Sequence, residues 1–404
     1  LQAMLTGWLL YRAGYTTGLA CNAGMYLQMD RIETASPGEW ESGQRILMNR
    51  TTTAAVIESS PRSILENGLA YDRCQVGVVT GLPEPVGLED HHIHSHEQMR
   101  TVLRTQIDVV LPTGCAVLNA DDPNVMKMSA YTDAKVICYV TMNPSHALVR
   151  EHIRAGGRAC ALEAGVNGQM ITLYDKGSHI PLLWTHLIPA TLEGRALHNV
   201  QNAMFAAAMA FSLGIKLDAI RQGLRTFDTT FFQAPGRMNV YDEHPFKVVM
   251  DYAHNAHAVG MMADLAQRLE VAGRRIVVVA APGDRRDEDI QDIARAVAGR
   301  FDHYVVKRDD SLRGRDGDEV PRIIARALQA AGVAETTIEQ IPDEQQAIDA
   351  ALRMGRPGDL VLVFADALAR SWKQITKFTP EGAEPRSARK IELPSLPPAP
   401  TADE

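Results

Sequence analysis

The stretch VVMDYAHNAHAVG, residues 248–260, decides how this chain is read. An apolar run ends in Asp251; Tyr252, Ala253, His254 and Asn255 follow, and then a helix-like pattern begins. Strand, polar exit and helix make up the repeating unit of an open parallel sheet, where ligands bind at the carboxyl ends of the strands. An acid and an imidazole at the exit of a buried strand carry a desolvation cost, which a bound polar ligand would offset.

The same pattern recurs on both sides of that stretch. AAVIES, VGVVTGL, AVLNADD and KVICYV precede it, and RIVVVAAPGD, DHYVVKRDD and DLVLVFAD follow it. Continuous Val, Ile and Leu with little alternation predicts strands covered by helices on both faces, hence an α/β fold with mostly parallel sheets. Between the two groups, residues 198–227 are alanine-rich and helically periodic, and predict helices ending near Gly214 and Gly223. Pro235, Gly236 and Pro245 then interrupt the pattern, so a boundary near residue 234 separates a first domain (1–233) from a second (234–378). Residues 379–404, rich in Pro, Ala and charge, are expected to be a disordered tail. We find no internal repeats.

Composition narrows the classes of function. At 404 residues the chain exceeds what one core usually supports. A net charge of -8 argues against a nucleic-acid or anionic-membrane partner. Cys21, Cys74, Cys115, Cys138 and Cys160 show no metal-type spacing, and most lie in apolar runs, as free thiols of a cytoplasmic protein do. No apolar run approaches a membrane span and no signal peptide is visible. The chain opens at Leu1 inside a helix-like segment, so we expect further sequence upstream.

Polar clusters mark most of the expected strand exits. Glu58 ends the run AAVIES and has two readings: a ligand for Mg2+, or a helix cap or ion pair with Arg62. His91, His92, His94 and His96 crowd one loop; a solvated loop outweighs a zinc site, and one of them assisting a Mg2+-phosphate group lies between. Asn119, Asp121 and Asp122 suit turns and caps. Asn199 suits an N-cap, and Asn202, one turn on, is a candidate adenine or phosphate contact. Arg237 follows a Pro-Gly turn, either as a surface residue or as a cation for phosphate oxygens. Arg285 and Arg286, with Asp284 and Asp287, can grip a carboxylate or, through the two acids, a guanidinium; Arg313, Arg315, Asp316, Asp318 and Glu319 form a further mixed cluster, and each cluster alone also reads as a solvated charged turn.

MDYAHNAHAVG resembles the D-Y-x-H-N-P element of the Mur-ligase superfamily. APGDRRDEDI, RGRDGDEV, AVLNADDP, PGRMN and PGDLVLVFAD, in that company, resemble the Mur-ligase-like part of the cyanophycin synthetase family, from residue 1 to about 378. The resemblance implies a nucleotide-binding central domain and a Rossmann-like C-terminal one, closing around ATP and Mg2+. It implies a ligase that makes an acyl phosphate and releases ADP, adding L-arginine to the β-carboxylates of poly-aspartate to form cyanophycin. On matched motifs, Glu58 and His91 take the metal, Glu58, His91 and Arg237 the catalysis, and Asn202, Arg237, Asp251, His254 and Asn255 the nucleotide. Asp284, Arg285, Arg286, Arg313 and Arg315 take the amino acid or polymer, and we expect a homo-oligomer. The family's phosphate loop, G-T-N-G-K-T-T, is expected just before Leu1, ESSPRSIL stands for E-T-A-R-G-G, and Ala256 for the family proline. A ligase for another amino acid and an inactive polymer-binding module are the alternatives.

Overall fold

The computed structural model describes residues 1–33 and 39–380, so the expected tail from residue 381 onward lies outside the described residues. Sixteen strands form three sheets among the described residues. The first sheet has β1 (Thr17–Cys21), β2 (Gly24–Leu27), β3 (Asp30–Glu33) and β4 (Ala54–Ile57) in the order β3-β2-β1-β4, with β1 and β4 parallel. The second runs β10-β9-β8-β7-β6-β5: β5 (Cys74–Val79), β6 (Val110–Asn119), β7 (Val136–Thr141), β8 (Arg158–Gly165), β9 (Gly168–Asp175) and β10 (Ser178–Trp184). The third, in the second domain, runs β11-β12-β16-β13-β14-β15: β11 (Asn239–Tyr241), β12 (Lys247–Asp251), β13 (Arg275–Val279), β14 (His303–Val306), β15 (Ile338–Gln340) and β16 (Leu360–Phe364).

Every expected parallel strand is present, but the hairpins β1-β2-β3 and β8-β9-β10 are antiparallel additions. Their turns need positive φ, which Gly168 (+116°) and the pair Lys176 (+49°) and Gly177 (+80°) supply. The residues that turn those strands back are short-range signals that the apolar runs obscure.

Among the described residues thirteen α-helices cover the sheets. The first domain carries α1 (Gln2–Arg12), α2 (Glu39–Met48), α3 (Pro61–Asn67), α4 (His96–Asp108), α5 (Pro123–Met126), α6 (Ala147–Arg154), α7 (Leu197–Ser212) and α8 (Leu217–Thr226). The alanine face of α7 packs between α1 and strands β6 to β8, in one core that reaches from Leu5 and Leu9 to Cys138 and Leu173. The helix expected to end at Gly223 runs on to Thr226. Gly223 is small because Leu9 of α1 presses there: a Cβ would lie 2.3 Å from Leu9 Cδ2.

In the second domain follow α9 (Ala256–Arg268), α10 (Asp287–Val297), α11 (Glu319–Ala330), α12 (Glu344–Met354) and α13 (Leu368–Lys377). Successive residues of its strands face opposite layers. Val277 and Val279 join a core with α9, α10 and α11, while Ile276 and Val278 join one with α12 and α13. A strand apolar at every position is what this double covering demands. Because β16 lies between β12 and β13, the chain crosses over at that point, and a crevice opens at the carboxyl ends of β12, β16 and β13.

Candidate active site

The site lies where that crevice meets the first domain. Parallel pairing of β1 with β4 brings Asn22 to Glu58: Glu58 Oε2 accepts the Asn22 N–H at 3.3 Å, and the Glu58 N–H donates to Ala20 O at 2.9 Å. The cap and ion-pair readings of Glu58 do not hold. Ser60 caps α3 through the Ser63 N–H, and Arg62 pairs with Asp90 (2.9 Å) and Glu66 (3.1 Å). Glu58 is left as an exposed carboxylate.

His91 does not join it. Its Nε2 lies 3.5 Å from Glu66 and 3.6 Å from Asp90, inside the Arg62 cluster. His92, His94 and His96 are exposed, as the solvated-loop reading requires. Among the described residues no group of three His, Cys, Asp or Glu side chains is arranged to hold a metal. A Mg2+ at Glu58 would meet one protein carboxylate and complete its shell with water and phosphate oxygens, a usual arrangement for this ion.

The PGRMN turn and the DYAHN loop are strapped together. Asp251 is buried; its Oδ2 accepts the Met238 N–H and its Oδ1 the Ala253 N–H, both at 2.8 Å. The Tyr252 N–H donates to Gly236 O at 3.0 Å, and Asn239 Oδ1 accepts the Gly236 N–H at 2.7 Å. Gly236 and Met238 adopt φ of +67° and +53°, and between them the turn presents Arg237. Burial pushes the Asp251 carboxyl above the usual carboxylate range, with Arg237 and the two N–H donors opposing it in part. The Arg237 N–H donates to Ala234 O at 3.2 Å, but its guanidinium has no hydrogen-bond or ion-pair partner among the described residues and is available. Asn255 caps α9 through the Ala258 N–H (2.9 Å).

Asn199 is not the cap of its helix. α7 begins at Leu197, and Asn199 is buried in its first turn, donating to Ala190 O at 2.8 Å and accepting from Asn202 Nδ2 at 3.2 Å. Its amide also meets Met238 Sδ (3.7 Å), which ties α7 to the Arg237 turn. The structural reading of Asn119, Asp121 and Asp122 holds: they tie the exit of β6 to Thr80, Thr141 and Leu82, and Asp122 caps α5.

A cavity of about 130 Å³ opens at the carboxyl ends of β12, β13, β14 and β16, and Asn22 reaches it from the first domain. His254 Nδ1 donates to Tyr252 O (3.1 Å), leaving Nε2 as an acceptor. Burial, and then Arg285 and Arg237, lower its pKa and favour the neutral ring. Two arginines, Arg285 and Arg313, and two acids, Asp309 and Asp366, line the cavity. Arg285 Nε is buried without a hydrogen-bond partner, and its Nη1 would lie 3.3 Å from a Cβ at Gly87 of the first domain.

The remaining charged residues singled out in the sequence serve the loops. Asp284 holds Arg313 (3.1 Å), and Arg286 holds Asp289 (3.0 Å) at the head of α10. Arg315 donates to Gly283 O (2.8 Å), Arg285 O (2.7 Å) and Glu319 (2.6 Å), and pairs with Asp287 (2.8 Å). Asp284 and Asp287 are thus already paired, and the acids facing the cavity are Asp309 and Asp366, which the sequence reading missed. Each follows a parallel strand by two or three residues, a position that could have identified them.

Residues 4–210, about half of the chain, match the Mur ligase middle domain, and residues 236–367 match the Mur ligase glutamate ligase domain. The chain belongs to the Mur ligase family. Among its relatives are cyanophycin synthetases: that of Synechocystis sp. is 35% identical over 377 residues, covering 92% of this chain and 42% of the relative. That of Trichormus variabilis is 37% identical, covering 90% and 39%. The chain therefore spans about two-fifths of the length of these relatives. E. coli FolC in complex with DHPP and ADP shares the fold, with a TM-score of 0.64 at 16% identity over 93% of this chain and 85% of that one. Among the described residues no helix is long and apolar enough to cross a membrane.

Proposed function

We propose that this chain carries out a cytoplasmic, ATP-dependent, ADP-forming amide ligation. It joins L-arginine, through its α-amine, to the β-carboxylates of a poly-aspartate backbone, as in cyanophycin synthesis. The observation that carries this reading is the charge pattern of that cavity. Two arginines (Arg285, Arg313) can take an α-carboxylate, and two acids (Asp309, Asp366) a guanidinium, the two ends of a basic amino acid. The 33–37% identity to cyanophycin synthetases supports the same substrate.

In this reading a β-carboxylate oxygen attacks the terminal phosphorus of ATP, ADP leaves, and an acyl phosphate forms. The α-amine then attacks the acyl carbon, phosphate leaves, and the ammonium proton passes to neutral His254 or to water. Arg237, whose guanidinium has no internal partner, stabilises charge on the phosphoryl oxygens. Glu58 would hold Mg2+, which neutralises phosphate charge when bound. Asn202 and His254 border the nucleotide; Asp251 and Asn255 serve it by fixing the loop that presents Arg237.

The test is ADP release by the chain joined to the expected upstream phosphate loop, with ATP, a β-Asp-Arg-primed polymer and single amino acids. Arginine-dependent release is expected. Arg237→Ala should lower it on the order of 10²- to 10³-fold with an unchanged melting temperature. A folded chain with background turnover for every amino acid defeats the ligase reading, and turnover with another amino acid alone replaces the substrate.

A further inference from the structure

Lys307 leaves the end of β14 with its side chain fully buried. Its Nζ lies 2.9 Å from Glu344 Oε2 and 3.9 Å from Asp309 Oδ1, and makes no aligned hydrogen bond. Burial of an ammonium is tolerated only with a counter-charge. Glu344, itself buried, supplies one while also accepting the N–H groups of Asp366 (2.8 Å) and Ala367 (3.0 Å) and the Ser371 hydroxyl (2.8 Å). A pair of apolar side chains would join β14 to α12 as well or better, so cohesion alone does not account for a lysine here.

The group that does account for it is Asp309. Its side chain is only 11% exposed, lines the cavity and accepts no hydrogen bond among the described residues. Around it stand Lys307 on its own strand exit, Arg313 on the following loop, Asp366 after β16, Glu344 at the head of α12 and Tyr252 after β12. Burial, then Asp366 and Glu344, raise its pKa above the usual carboxylate value; Lys307 and, less strongly, Arg313 oppose that rise and favour the anion. Arg313 is already shared with Asp284. A protonated Asp309 would present a donor to a guanidinium that is itself all donors.

We propose that Lys307 is a positioning residue for the cationic end of the substrate: its buried charge keeps Asp309 anionic in the cavity, and Glu344 makes that burial tolerable. The proposal rests on reading the cavity as the amino-acid site.

Its test is L-arginine binding to the full chain by calorimetry between pH 5 and 8, for the wild type, K307M/E344Q and D309N. The double variant removes both buried charges, and Gln keeps an acceptor for the 366–367 N–H groups. Wild-type affinity should be flat. Without Lys307 the Asp309 pKa rises, so the double variant should lose affinity as pH falls, on the order of tenfold at pH 5 relative to pH 8, a factor worth about one pH unit of linkage. D309N should be weak throughout. A double variant whose profile parallels the wild type, with D309N weak, overturns the role of Lys307 alone. D309N with wild-type affinity overturns the amino-acid site and the inference with it. The 13Cγ shift of Asp309 in the wild type is a second measurement, needing no variant. Asp309 should be ionised wherever binding is flat, and a protonated Asp309 at full arginine affinity overturns the proposal.

Discussion

Glu344→Gln separates a buried clamp from a surface-like ion pair. Glu344 is 1% exposed and holds Lys307 at 2.9 Å, with three further donors from the 366–371 segment. Burial alone would raise its pKa, but Lys307 and those donors bring it from 4.5 down to about 2. At about 1.4 kcal/mol per unit this corresponds to roughly 3 kcal/mol of stabilisation. Replacing the carboxylate strands the ammonium, which costs about 3–5 kcal/mol when one partner of a buried pair is lost. Chemical denaturation of the second domain should show that loss, and Lys307→Met in the same chain should recover most of it. The pH dependence has a definite sign. A depressed carboxylate pKa contributes stability above 4.5 that disappears as pH falls toward about 2. The wild type should show that acid loss and Glu344→Gln should not. A single variant within about 1 kcal/mol of wild type, or no recovery in the double variant, refutes the clamp.

Gly77→Ala sets a Cβ 2.4 Å from Gln106 O and 2.5 Å from Val110 Cγ2, so the denaturation midpoint should drop by about 1–3 kcal/mol of stability. Arg315→Ala should lower the melting temperature and turnover together, because Arg315 carries the loop under Arg285. Arg285→Ala should lower turnover at an unchanged melting temperature. Burial raises the pKa of all five thiols, Cys74 to about 11. A disulfide reagent near pH 7.5 should therefore leave the native chain unlabelled and label five thiols after denaturation.

The continuous apolar runs within β6, β12, β13, β14 and β16 dictated parallel, doubly covered sheets. That follows because a strand buried on both faces cannot alternate, a constraint written into each segment by itself. The polar residues after Ile57, Met250 and Val279 marked the ligand edge for the same local reason. Which charges face the cavity was not local. Arg285 enters it and Arg286, its neighbour in sequence, turns to Asp289. Arg315, motif-like in sequence, became a strut, and Lys307 found Glu344 across 37 residues. An ion pair depends on distances of a few ångströms between side chains on different elements, and helix and strand packing sets those distances. The chain by itself determined where a ligand edge must lie; only the tertiary structure decided which of its charged side chains are left unpaired to meet a ligand.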